Sequence, residues 1–198
     1  MSDRFYQTMW NIFSPVFRFL YPMDVEGLEN LPTDEPTLIC VNHSSAIDPV
    51  LLGVAMPKTT NVRIMAKKQL FSVPIIGKLI TKLGAFPVDR GHSDIGAVKK
   101  SIQCLRDGCH LVVFPEGTRV KAPGEVSVKG GVAMIAIRTG VKLLPVFVSR
   151  DKKLFHRVKI IFGQPYEPVY TGRHGTAEEY QSNADEIMRQ VYELGGVK

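Results

Sequence analysis

Residues 37–49 read Thr37-Leu38-Ile39-Cys40-Val41-Asn42-His43-Ser44-Ser45-Ala46-Ile47-Asp48-Pro49. They join an unbroken apolar run to a polar turn and then to the start of a helix. A short continuous run of β-branched and aliphatic residues suits a strand covered on both faces. Asp followed by Pro is a helix start, with Asp48 capping and Pro49 at the first helical position. Strand, turn and helix in so short a stretch form the opening half of a βα unit.

The same alternation continues outward from Pro36. Further strand candidates are Val62 to Met65, Ala85 to Val88, Leu111 to Phe114, Leu143 to Val148 and Val158 to Phe162. Helical spacing predicts helices over about 46–56, 75–83, 94–107, 130–139 and 176–194, with Gly140 closing the fourth. The expected fold class is α/β: a largely parallel central sheet flanked by helices, the last strands running either way. Residues 23–198 are expected to form one domain, and residues 1–22 an amphipathic appendage.

Composition agrees with a globular chain. Of 198 residues, 44% are hydrophobic and 22% charged, which excludes disorder, collagen and coiled coil. The three cysteines, with no CxxC pair, supply neither a disulfide framework nor a zinc site. Cys40 and Cys109 border apolar runs and are expected in the core, in a reducing, cytoplasmic compartment. No apolar run is long enough to span a bilayer, and no small-residue cleavage site follows the N-terminal apolar stretch.

Residues 1–22 differ in kind. Phe5, Tyr6, Met9, Trp10, Phe13, Val16, Phe17 and Leu20 recur at three- and four-residue steps, predicting an amphipathic helix interrupted or kinked near Pro15. Such a helix either packs on the core or lies at the headgroup level of a membrane. The stretch from Lys58 to Arg90 holds seven basic residues around the apolar segment 70–76, with Asp89 its only acid. That combination suits an anionic membrane surface. No nucleic-acid motif accompanies it, so nucleic acid is not an expected partner.

Four constellations carry possible chemistry. His43 and Asp48, five apart across a strand-to-helix turn, can meet if the turn folds back. The Asp would then fix the tautomer and leave the other ring nitrogen as a base. Phe114-Pro115-Glu116-Gly117-Thr118-Arg119 ends an apolar strand, where ligands of open α/β sheets bind, and its guanidinium matches a phosphate. Gly84-Ala85-Phe86-Pro87-Val88-Asp89-Arg90 is a second short strand ending in Arg. Lys129-Gly130-Gly131, opening the helix near 132, is the weakest of the four. There is no GxSxG elbow and no phosphate loop, and His92, His110, His156 and His174 lack metal-site spacing, so no metal is expected.

His-x4-Asp, then Gly84 to Arg90, then Phe114 to Arg119, then Val141-Lys142-Leu143-Leu144-Pro145-Val146 occur in an order that resembles the glycerolipid acyltransferase family. Within that family the chain is most similar to the bacterial 1-acyl-glycerol-3-phosphate acyltransferase branch. Val25 to Pro32 and Ala66-Lys67-Lys68-Gln69-Leu70-Phe71, with Pro74 and Gly77 behind, add to the likeness, which covers about residues 24–150. Gln69 stands where the family often has Glu, and Lys142 sits inside the fourth block.

The resemblance implies that His43 is the general base and Asp48 its orienting partner. It implies that Arg90 and the group Glu116, Gly117, Thr118 and Arg119 hold the acceptor's phosphate, with Lys67 a weaker candidate. The implied reaction moves an acyl group from acyl-CoA or acyl carrier protein, as co-substrate and without a cofactor, to lysophosphatidic acid, giving phosphatidic acid. Glycerol-3-phosphate or another lysophospholipid as acceptor, and a non-catalytic anionic-lipid binding module, are the alternatives. A long-chain substrate prefers the bilayer by about 0.8 kcal/mol per CH₂. The expected location is therefore peripheral, on the cytoplasmic face of the cell membrane.

Overall fold

The structure, a computed structural model, describes residues 3–89 and 94–197. These form α1 (Asp3–Leu20), β1 (Met23–Glu26), β2 (Thr37–Val41), α2 (Asp48–Ala55), β3 (Val62–Lys67), α3 (Pro74–Lys82) and β4 (Ala85–Val88). Then follow α4 (Ile95–Arg106), β5 (His110–Val113), α5 (Gly131–Thr139), β6 (Lys142–Val148), β7 (Val158–Phe162) and α6 (Ala177–Leu194), with short 3-10 turns at Leu28–Asn30 and Lys68–Ser72. The strands make one sheet in the order β1-β7-β6-β2-β5-β3-β4. Every strand pairing is parallel except that of β6 with β7.

The apolar run 37–41 is continuous because β2 is buried along its whole length, and successive side chains leave it on opposite faces. Leu38 and Cys40 enter a core shared with Leu105 of α4, Ala136 of α5 and Ile187 of α6. Ile39 and Val41 enter a second core shared with Tyr6 of α1 and Leu51 and Leu52 of α2. Helices thus cover both faces. After β2 the chain crosses by α2 on one face to β3, beyond β5; after β5 it crosses by α5 on the other face to β6. The two connections part company at the carboxyl ends of β2 and β5, and such a parting opens a crevice there.

The predicted helices and the six predicted strands are all present, with ends displaced by a few residues. Gly140 ends α5 with φ 69° in the left-handed region, as its position suggested. β1 is the strand missing from the sequence reading. It is a four-residue edge strand, half-buried at Met23 and Val25 and exposed at Asp24 and Glu26, and its partner β7 is far along the chain. The glycine after it is obligatory: Gly27 has φ 68°, and a Cβ there would stand 2.1 Å from the Phe162 carbonyl oxygen. All three cysteines are free and buried in the core.

α1 continues through Pro15 without interruption. One side of it belongs to the core. Tyr6 is buried, the Trp10 indole N–H reaches the Gly53 and Met56 carbonyls at 3.2 Å each, and Arg18 Nη2 donates to the Val54 carbonyl at 3.0 Å. These are carbonyls that the end of α2 leaves without amide partners. The other side carries Ile12, Phe13, Val16 and Phe19 into solvent, Phe19 being 72% exposed. The core-packing reading therefore holds for one face of the helix, and the other face is exposed and apolar.

Candidate active site

Three loops meet at the crevice: those following β2, β5 and β6, which are neighbours in the sheet. Asn42 extends the β2–β6 ladder by one residue with its side chain, donating from Nδ2 to the Val148 carbonyl at 2.9 Å and accepting the Val148 N–H at 2.8 Å. The backbone then turns, and the buried His43 ring lies against that of Phe114, centroids 4.3 Å apart.

The turn brings the His43 and Asp48 side chains together. His43 Nδ1 lies 2.9 Å from Asp48 Oδ2, and the same oxygen accepts the N–H groups of Ser44 and Ser45 at 2.8 Å each. Asp48 is the first residue of α2 rather than its cap, which is Ile47. Its carboxylate reaches back to the turn instead of forward to its own helix. The other oxygen, Oδ1, lies 2.8 Å from the ammonium of Lys152, whose side chain is only 4% exposed. Burial works to raise the Asp48 carboxyl, but the His43 hydrogen bond and the Lys152 charge outweigh it and hold the group below its ordinary value. An ionised carboxylate only accepts, so His43 carries a proton on Nδ1, and in the neutral ring this tautomer leaves the lone pair on Nε2. Chemically, a neutral ring held in this way can act as a base.

The loop after β5 clasps the backbone of His43. Glu116 Oε2 accepts the His43 N–H at 2.7 Å, and Val120 N–H donates to the His43 carbonyl at 2.9 Å. The second Glu116 oxygen accepts the hydroxyl of Tyr192, from the last turns of α6. Glu116 is thus a buried carboxyl with both oxygens engaged within the protein, and burial pushes its pKa up against the opposing hydrogen bonds. Arg150, after β6, steadies the far end of the loop by donating to the Val120 carbonyl at 2.9 Å. Between these anchors Gly117 turns the chain with φ 65°, and Thr118 and Arg119 stand exposed at the tip.

The structure thus brings His43, Asp48, Glu116, Gly117, Thr118 and Arg119 to one end of the sheet. Lys67 closes β3 at that same end, with its side chain exposed. Arg90 lies outside the described residues. Glu116 faces inward, toward His43 and Tyr192, rather than toward an anion. Three residues of the arrangement were not singled out in the sequence: Lys152, Arg150 and Tyr192. The charged run after the apolar strand 143–148 was a usable signal for the first two, since strand carboxyl ends are where sites form. Tyr192 sits on a helix in core spacing and gave none. Among the described residues no cluster of His, Cys, Asp and Glu could hold a metal ion.

A sequence model of the family described as acyltransferase matches residues 22–149. A 1-acyl-sn-glycerol-3-phosphate acyltransferase of Bacillus subtilis (strain 168) is 32% identical over 175 residues, covering 86% of this chain and 86% of that protein. One from Streptococcus pneumoniae is 34% identical over 140 residues, 68% of this chain and 51% of that protein. The crystal structure of the 1-acyl-sn-glycerophosphate (LPA) acyltransferase PlsC from Thermotoga maritima aligns with a TM-score of 0.71 at 26% identity, covering 99% of this chain and 80% of that one.

Proposed function

This chain belongs to the acyltransferase family, and we propose that it moves a fatty acyl group from an acyl thioester to the free hydroxyl of 1-acyl-glycerol-3-phosphate, forming phosphatidic acid. The observation that carries the reading is the His43–Asp48 pair, 2.9 Å apart at the carboxyl end of a central strand, in a chain of this family.

The chemistry needs one group that takes a proton and returns it. As the acceptor oxygen attacks the thioester carbonyl, His43 Nε2 takes the hydroxyl proton and the C–O bond forms. The tetrahedral intermediate then expels sulfur, and the imidazolium returns the proton to the departing thiolate. A positioned imidazole contributes on the order of 10²–10⁴-fold to such a step. A thiol is a good leaving group, so no acyl-enzyme intermediate is required. Asp48 holds the ring in the productive tautomer and balances the imidazolium charge as it forms.

Arg119, at the tip of the loop clasped to His43, is the proposed anchor for the acceptor phosphate, a role that Arg90 and Lys67 are proposed to share. Gly117 gives the loop its turn. Glu116 acts indirectly in this reading: it places the His43 backbone and does not meet the anion it would repel. Charge-assisted hydrogen bonds contribute about 1.5–3 kcal/mol, so Arg119→Ala should raise the acceptor KM roughly 10- to 100-fold with a smaller change in kcat. An unchanged acceptor KM would remove Arg119 from this role.

The donor is proposed to be acyl-CoA or acyl carrier protein, both acidic and suited to a chain of net charge +6. We also infer a peripheral position on a membrane surface facing the cytoplasm, with residues 1–22 as the attaching segment and 23–198 as the acyltransferase domain. No described helix is long and apolar enough to cross a bilayer. Two exposed apolar sets support surface attachment: Ile12, Phe13, Val16 and Phe19 on α1, and Leu70, Val73, Ile75 and Ile76 at α3, among basic residues. Replacing Val16 and Phe19 together by serine spares the buried face of α1. It should weaken binding to anionic vesicles roughly tenfold or more, measured by co-sedimentation; unaltered binding would count against α1.

A further inference from the structure

Lys152 holds a position that the reaction as written leaves unexplained. An ammonium group buried to this degree is costly unless its charge is met. Here it is met by Asp48 Oδ1 at 2.8 Å and by the Ser44 hydroxyl oxygen at 2.6 Å. Both partners belong to the turn that presents His43. The Asp48 carboxylate is thus divided: Oδ2 serves the imidazole and two backbone amides, and Oδ1 serves the ammonium.

The charge balance gives this division a chemical consequence. A carboxylate alone beside an imidazole favours the imidazolium, which has no lone pair to accept a proton. An ammonium on the far oxygen offsets that negative charge and makes the imidazolium less favourable. The charged groups facing His43 come from three loops. They are Asp48 at the start of α2, Lys152 after β6, and Glu116 after β5 behind the His43 backbone N–H, with the Arg150 charge acting on Glu116. Of these, Lys152 is the cation that shares a carboxylate with the imidazole.

We propose that Lys152 is a positioning residue that divides Asp48 with His43, locks the turn through Ser44, and keeps the imidazole an uncharged base at the pH where the enzyme works. The proposal rests on the reading of His43 as the general base. A lysine that only pinned the loop after β6 would influence stability but leave the proton on His43 where it was.

The test is the pH dependence of kcat/KM for acyl transfer to 1-acyl-glycerol-3-phosphate in mixed micelles. It uses the full chain carrying Lys152→Met, Lys152→Gln or Lys152→Arg. The acceptor's own phosphate ionisation is common to all and cancels in the comparison. The two neutral variants should move the acid limb upward by about one pH unit, so that they lose most activity at low pH and recover part of it at high pH. Lys152→Arg, which keeps the charge, should leave the limb near its wild-type position. A folded neutral variant with an unmoved limb overturns the proposal. So does a chain that folds with neither Met nor Gln at 152, because the pairing would then serve folding and not the proton. His43→Ala, assayed alongside, separates the two levels. If it retains transfer, the general-base reading fails; if it is inactive while the limb stays put in Lys152→Met, only the role of Lys152 fails.

Discussion

Replacing His43 by alanine is expected to lower acyl transfer by about 10²–10⁴-fold and to leave the fold intact. The substitution removes the ring nitrogen proposed to deprotonate the acceptor hydroxyl. It keeps the contacts that hold the loops together, because Glu116 and Val120 bind the backbone of residue 43 and not its side chain. Asp48 keeps Lys152 and the amides of Ser44 and Ser45. The ring is buried against Phe114, so some packing is lost, but the loops keep their backbone anchors. Steady-state turnover together with thermal unfolding of the same preparation checks both halves. A folded variant within a few-fold of wild-type activity would place the base elsewhere.

Asp48→Asn should be comparably severe in rate and more severe in stability. An amide has the carboxylate's shape but one acceptor oxygen and one NH₂. With the oxygen toward His43, the NH₂ faces the buried ammonium of Lys152; turned over, it faces the imidazole and favours the wrong tautomer. Loss of tautomer control in a comparable dyad costs on the order of 10⁴ in kcat. Leaving one member of a buried ion pair without its partner costs about 3–5 kcal/mol. The pH dependence provides a second signature. Since the folded Asp48 carboxyl titrates below its ordinary value, the wild type gains stability above the unfolded value and loses it as pH falls through the folded one. Asn does not titrate. The stability gap between the two proteins should therefore narrow in acid below about pH 4, which denaturant unfolding at several pH values will read. A constant gap would mean that Asp48 is not held as the ion pair requires.

How much of this was legible in the sequence depends on the range of the signal. Strands such as 37–41 and 143–148 declare themselves because they are buried on both faces and so become continuous apolar runs. β1 does not, because half of its residues face water and its pairing partner is remote. The dyad was legible in outline, since both members lie within one turn. The inward direction of Glu116 was not: a Glu in a Gly-containing turn looks solvated until Tyr192, 76 residues away, is seen to cover it. The charged run holding Lys152 was visible at a strand's carboxyl end, but the inward turn of Lys152 was not. Lys152 is one of four charged residues in the run Arg150-Asp151-Lys152-Lys153, and its contacts with Asp48 and Ser44, remote in sequence, single it out.

The most direct measurement is product analysis for the wild-type protein and His43→Ala side by side, with a labelled acyl thioester and 1-acyl-glycerol-3-phosphate. The wild type should release thiol and form phosphatidic acid in equal amounts, and only when the acceptor is present, while the variant forms neither at a comparable rate. Thiol and free fatty acid appearing without acceptor, or equal yields from both proteins, would contradict an imidazole that serves to deprotonate a lipid hydroxyl.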